Sequence, residues 1–199
     1  MSNAGRKKQP DLVRAQLMIA AAEEAAAKGL GAVTLDAVAK RAGISKGGLL
    51  HHFPNRQVLI ESMYQAVLDR FESKIKEVMA TDPNPAGRFS RAYLLATTLT
   101  PDDDLDSRVM AVASLAMSVD STLAGIWRGW LDRKLRKSGE DEKSVIGHLI
   151  RLATDGLWLE DCQGASLAAP ASRKALVDQL VKMSYEIEPA PGGENIEGD

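Results

Sequence analysis

Ala39 and Gly43, four residues apart in TLDAVAKRAGISKGGLLHHF (residues 34–53), set the tightest limit on how this chain can fold. Two short segments of helical apolar spacing flank Gly43, at about 35–42 and 45–52. Helices that short can cross steeply only if the contact residue is small and the turn accepts a positive φ. Ala39 meets the first condition and Gly43 the second. Val38, Ala42, Ile44 and Leu49 then fill the seam. Thr34 is placed to cap the first helix through its hydroxyl, and Pro54 stops the second.

The second short helix carries an unusual front. Two adjacent glycines in a helix interior cost roughly 1 kcal/mol each relative to alanine. With Leu49 and Phe53 turned to the core, Gly47 and His51 fall about 160° from Leu49, on the outer face. That face is bare backbone followed by an imidazole, with Lys46 at its leading end. Glycines here permit close approach to a DNA groove, and Lys46 can reach guanine acceptors or a phosphate. His51 suits a base or a phosphate and His52 a phosphate. Arg56, at the start of the next helix, and the Thr34 hydroxyl offer further phosphate contacts.

Charge distribution agrees. Residues 1–56 hold nine Lys/Arg against four Asp/Glu, about +5, whereas the whole chain carries −2, leaving −7 for the remainder. A basic head on an acidic body suits a polyanion-binding module joined to a separate core. Cys162 is a single cysteine, which excludes an internal disulfide framework and fits a reducing cytoplasm. Apolar stretches are interrupted by charge well before membrane-spanning length, and no secretory pattern opens the chain.

The remaining periodicity is helical, with no strand alternation. A first helix is predicted over about 10–28, with Pro10 in its first turn. A long fourth helix, capped by Asn55, runs to about Ala80 on a stripe of Leu59, Met63, Val67, Phe71 and Ile75. Asp82–Pro85 breaks it. Further helices are expected near 85–99, 103–118, 121–137, 141–163 and 170–186, followed by an acidic, Pro/Gly-rich tail expected to be disordered. The run from Thr100 to Asp104 reads as a capped helix start rather than a carboxylate metal site. His51 and His52 diverge by about 100° on a helix, which disfavours joint metal ligation. No Gly-rich phosphate loop, nucleophile elbow, HExxH or CxxC occurs, so neither enzyme, cofactor nor metal site is expected.

TLDAVAKRAGISKGGLLHHFPNRQVL, residues 34–59, resembles the DNA-binding domain of the TetR family of bacterial one-component regulators. The likeness rests on the capping threonine, the Ala-x3-Gly turn, Ser-Lys-Gly opening the reading helix, His-Phe closing it, and Asn-Arg beginning the next. It covers about residues 10–75. The resemblance implies an all-α protein of about nine helices. A three-helix helix–turn–helix domain over 6–55 would precede an effector-binding and dimerisation domain over 56–186. Matching positions place DNA contacts on Thr34, Ser45, Lys46, Gly47, Gly48, Leu50, His51, His52 and Arg56. Two positions depart from the family pattern. Leu50 stands where tyrosine is common, and Gly48 replaces the usual threonine, serine or alanine.

The resemblance further implies a homodimer, usually a repressor, released from palindromic double-stranded DNA by a small effector. Phe89, Tyr93, Met110, Met117, Trp127 and Trp130 are large, adaptable groups that suit an apolar ligand or simply a core. Few titratable groups interrupt these helices' stripes, so a neutral or lipophilic effector is expected. Leu149, Leu152, Ala153, Gly156 and Leu157, with Leu176, Leu180 and Met183, suit a four-helix dimer interface or an intrasubunit hairpin. The competing function is a helical scaffold whose hairpin merely resembles a DNA reader.

Overall fold

The computed structural model describes residues 4–98, 105–139, 141–162 and 169–189. Among these residues the chain forms α1 (Ala4–Lys28), α2 (Leu35–Ala42), α3 (Lys46–His52), α4 (Arg56–Thr81), α5 (Arg88–Thr98), α6 (Leu105–Ala116), α7 (Ser121–Ser138), α8 (Val145–Cys162) and α9 (Pro170–Ser184), with no strand. Short 3-10 turns occur at Leu30–Ala32 and Asp141–Lys143. The all-α expectation therefore holds. The segment from Thr100 to Asp104 and the tail beyond residue 189 lie outside the described residues. Among the described residues, no single helix is long and apolar enough to cross a membrane.

Two compact units emerge, Met1–Asp69 with Asp103–Ile126, and Arg70–Asp102 with Trp127–Asp199. In the first, α1 presents Leu17, Ala21 and Ala25 to a core completed by Val38, Leu49, Phe53, Leu59, Met63, Val109 and Leu123. The alanines of α1 leave room for α2 and α6, both of which pack on it. Helix α1 begins at Ala4, six residues before the proline expected in its opening turn, so Pro10 lies inside it. Proline has no N–H to donate, so the bond it would make to the preceding turn is missing. Helix α4 starts as expected, the side-chain Oδ1 of Asn55 accepting from the Val58 N–H at 2.9 Å. Asp120 caps α7 likewise, accepting from Thr122 at 2.9 Å and Leu123 at 3.1 Å.

The second unit is organised by α5, which packs on α8 and α9. Leu94, Ile150, Leu157, Leu180 and Ile187 form its apolar centre. A buried arginine locks the ends together. Arg91 pairs with Asp82 at 2.6 Å, donates to the carbonyls of Ala86 and Ser184, and lies 4.3 Å from the Tyr185 ring centroid. Gly87 has φ 65°, and a Cβ there would come within 2.6 Å of the Ser184 carbonyl, so only glycine fits.

Helix α8 begins later than its apolar spacing suggested, at Val145, because Glu142 is drawn beneath α5. Its carboxylate accepts from the Phe89 and Ser90 amides at 2.6 and 3.1 Å, satisfying two orphan donors at that helix end. Burial pushes the Glu142 carboxyl above its ordinary pKa, although these hydrogen bonds oppose the shift.

Candidate nucleic-acid interface

The α2–turn–α3 unit is built as its sequence dictates. The Thr34 hydroxyl accepts from Ala37 N–H at 3.1 Å. Gly43 adopts the left-handed conformation, φ 67° and ψ 25°, and its amide closes α2 on the carbonyls of Ala39 and Lys40. Val38, Ala39, Leu49 and Phe53 are buried in the seam, and Ile44 is half-buried beside them. Ser45 caps α3, accepting from Gly48 N–H at 3.1 Å. Its hydroxyl proton is not used in that bond, so the same group can still donate to a phosphate.

Gly47 and His51 lie exposed on the outer face of α3, as does Leu50, which is 40% exposed and so does not fill the seam. The two glycines differ. A Cβ on Gly47 would meet nothing within 4 Å, whereas one on Gly48 would stand 3.1 Å from Ile44 Cγ2 and 3.3 Å from Ser45 Oγ. Gly47 thus keeps the outer face bare, while Gly48 also accommodates the protein's own cap. The rings of His51 and His52 sit edge to face, 5.4 Å apart.

Two expected cations have internal partners. Lys46 Nζ lies 3.0 Å from the Asp36 carboxylate, an exposed pair. Such a pair is worth at most about 1 kcal/mol, so a guanine edge or phosphate can displace it cheaply. Arg56 is tied more firmly, donating to the carbonyls of Val33 and Leu30 at 2.7 and 2.6 Å. It fastens the Leu30–Ala32 turn to the start of α4, leaving only its other donors for DNA.

Sequence reasoning missed Arg14. From α1 it donates to the His52 carbonyl and to Ser62 Oγ, each at 3.1 Å, with its guanidinium 4.3 Å from the Phe53 ring centroid. Arg14 therefore fixes the C-terminal end of the reading helix against α1 and α4. No local pattern announces it, because all three partners lie at least 38 residues away in sequence.

In the second unit, Phe89, Tyr93, Trp127 and Trp130 gather with Phe71 into one aromatic cluster, Trp127 stacked on Trp130 at 5.1 Å and Phe71 lying 5.7 Å from Tyr93. The Tyr93 hydroxyl donates to Asp155 on α8. Desolvation raises the Asp155 carboxyl pKa, against the pull of that hydrogen bond and of Arg151. Met110 and Met117 instead pack on the core of the first unit. Of the residues expected at a dimer interface, Leu149, Leu152, Gly156 and Leu176 are exposed, Leu157 and Leu180 are buried within the unit, and Ala153 and Met183 are half-buried.

Two short packed helices joined at a left-handed glycine, the second capped and outwardly bare, fit the head of a helix–turn–helix transcriptional regulator. Comparison with known proteins agrees. Residues 17–63 match the family described as bacterial regulatory proteins, tetR family, and residues 87–185 match the tetracyclin repressor-like C-terminal domain. Over 161 residues the chain is 34% identical to the HTH-type transcriptional repressor KstR2 of Rhodococcus jostii (strain RHA1), covering 73% of this chain and 76% of that protein. A transcriptional regulator from Rhodococcus sp. Rha1 has the same fold, with TM-score 0.66 and 24% identity over 87% of this chain and 95% of its own. The ketosteroid transcriptional regulator KstR2 of Mycobacterium tuberculosis gives TM-score 0.54 and 20% identity, covering 87% of this chain and 94% of that one.

The chain belongs to the TetR family of bacterial transcriptional regulators. It is a ligand-responsive DNA-binding regulator and not an enzyme, with operator DNA and a small-molecule effector as its partners.

Proposed function

We propose that the protein acts as a cytoplasmic repressor. It binds a palindromic operator as a homodimer and leaves it when a small molecule with an apolar body occupies the effector-binding domain. The observation that carries the reading is the outer face of α3, where Ser45, Lys46, Gly47, Leu50 and His51 are exposed beside a buried seam. Residues 6–55 form the reading head in this view and 56–186 the sensing and dimerising body. Gly48 and His52 line the inner margins of the face, and Thr34 and Arg56 contribute phosphate contacts with the donors their caps leave over. The exposed leucines of α8 and α9 support a two-fold helical interface, and the aromatic cluster supports an apolar effector.

Release follows from spacing. A dimer must hold its two reading helices about 34 Å apart, one DNA turn, or a near multiple of it. Helix α4 contributes residues to both compact units. An effector that binds better to a conformation with the wrong spacing lowers operator affinity by its differential affinity for the two states.

Selecting bound sites from a random DNA pool tests this reading, and a palindrome is the expected product. Lys46→Ala should weaken the selected operator about tenfold, within the 1–3 kcal/mol of a good base contact. It should do so without altering the melting curve. A scaffold protein would yield no enriched site and no steep loss of DNA affinity with salt.

A further inference from the structure

A cavity of about 370 Å³ opens in the second unit between one face of α4, the start of α5 and α7. Its floor is apolar: Ile75, Phe89 and Trp130 are each no more than 2% exposed. Among the described residues, Lys76, Arg88, Lys134 and Lys137 stand around this floor against one acid, Glu72. We propose that this cavity binds an amphipathic monocarboxylate, its apolar body on the aromatic floor and its carboxylate among the cations.

The charge balance selects that class. Glu72 Oε1 pairs with Lys76 at 2.7 Å and with Lys134, while Oε2 accepts from Trp130 Nε1 at 3.1 Å. One carboxylate is thus shared by two lysines. Arg88 Nε donates to the Asn84 carbonyl, a neutral acceptor that leaves its charge uncompensated. Lys137 is exposed at the rim. Besides the two lysines that share Glu72, Arg88 and Lys137 therefore remain for a ligand over a concave apolar surface, while Glu72 in the same wall opposes a more highly charged head. The volume lies in the range of small-molecule sites. A purely neutral effector, as the apolar stripes suggested, would leave these cations unused. They escaped notice because they come from three helices and lie outside every stripe.

That the site is the effector's rests on the regulatory reading above, whereas binding itself does not. Full-length protein is titrated with decanoate and with 1-decanol by calorimetry, and each is then added to the protein on its selected operator. Decanoate should bind at least about tenfold more tightly than 1-decanol, the worth of two partly exposed charge contacts. The double variant Arg88→Gln/Lys137→Gln should erase that preference and leave 1-decanol within about twofold of its wild-type affinity, since it removes the two charges that Glu72 does not engage. Equal affinities for acid and alcohol in the wild type overturn the proposal, as does a preference that survives in the variant. Acid preference without loss of operator binding upholds the carboxylate site and sinks its assignment to the effector. Release by the alcohol with no acid preference does the reverse.

Discussion

Gly47 and Gly48 are neighbours on α3 that answer to different constraints, and substitution should separate them. Alanine at 47 enters open space. Gly47→Ala should leave stability unchanged or raise it by up to about 1 kcal/mol through helix propensity. Gly48→Ala brings its methyl carbon to 3.1 Å from Ile44 Cγ2 and 3.3 Å from Ser45 Oγ, so the seam and the cap must give by a few tenths of an ångström. It should be about 1 kcal/mol less stable than Gly47→Ala, since cap loss is worth about that much. Urea denaturation of the two variants reads the difference, and equal midpoints would refute it. Arg56 poses a related distinction. Removing it leaves the Val33 carbonyl without this donor and the Leu30 carbonyl with only the Val33 N–H, so Arg56→Ala should lose about 1–3 kcal/mol of stability. A melt must therefore accompany any measurement of its DNA affinity.

Much of this was legible at the level of single residues. Thr34, Gly43 and Asn55 act locally, each bonding a backbone group within four positions, so residue type and spacing revealed them. Arg14, and the internal duties of Lys46 and Arg56, depend on groups 10 to 48 residues away. No window of sequence contains them.

At the scale of elements, helix extents followed the apolar period wherever a helix packs on its own stripe, as α2 and α4 do. They departed where another element intervenes. Helix α8 gave up its expected first turn because Glu142 caps α5, a demand that arises only once α5 lies alongside. The union of α5 with the end of α9 depends on Arg91, which is 2% exposed. Arg91→Ala leaves Asp82 without its buried partner and removes donors from several carbonyls. Breaking such a pair costs roughly 3–5 kcal/mol. Chemical denaturation should show that loss, and a change under 1 kcal/mol would exclude the staple.

Across the whole molecule, stability should depend on acid through Glu72. Burial raises its pKa, but Lys134, Lys76 and Trp130 outweigh that effect and hold it at about 2, from an ordinary 4.5. The ionised form is thus preferred in the folded state. Its contribution is complete above about pH 4.5 and is lost as pH falls towards 2. Glu72→Gln should lower the melting temperature at pH 7 and narrow its deficit from the wild type across that window. A deficit independent of pH between 5 and 2.5 would exclude this linkage.

The vacancy beside Gly47 also bears on how such a regulator diversifies. A side chain acquired there projects from the reading face without disturbing the seam, the caps or the Arg14 anchor. On the reading face proposed above, single substitutions at 47 are therefore expected to alter operator preference while leaving folding intact. Position 48, one residue along, is tighter, because its first extra carbon asks Ile44 and the Ser45 cap to give way before a new side chain is accommodated.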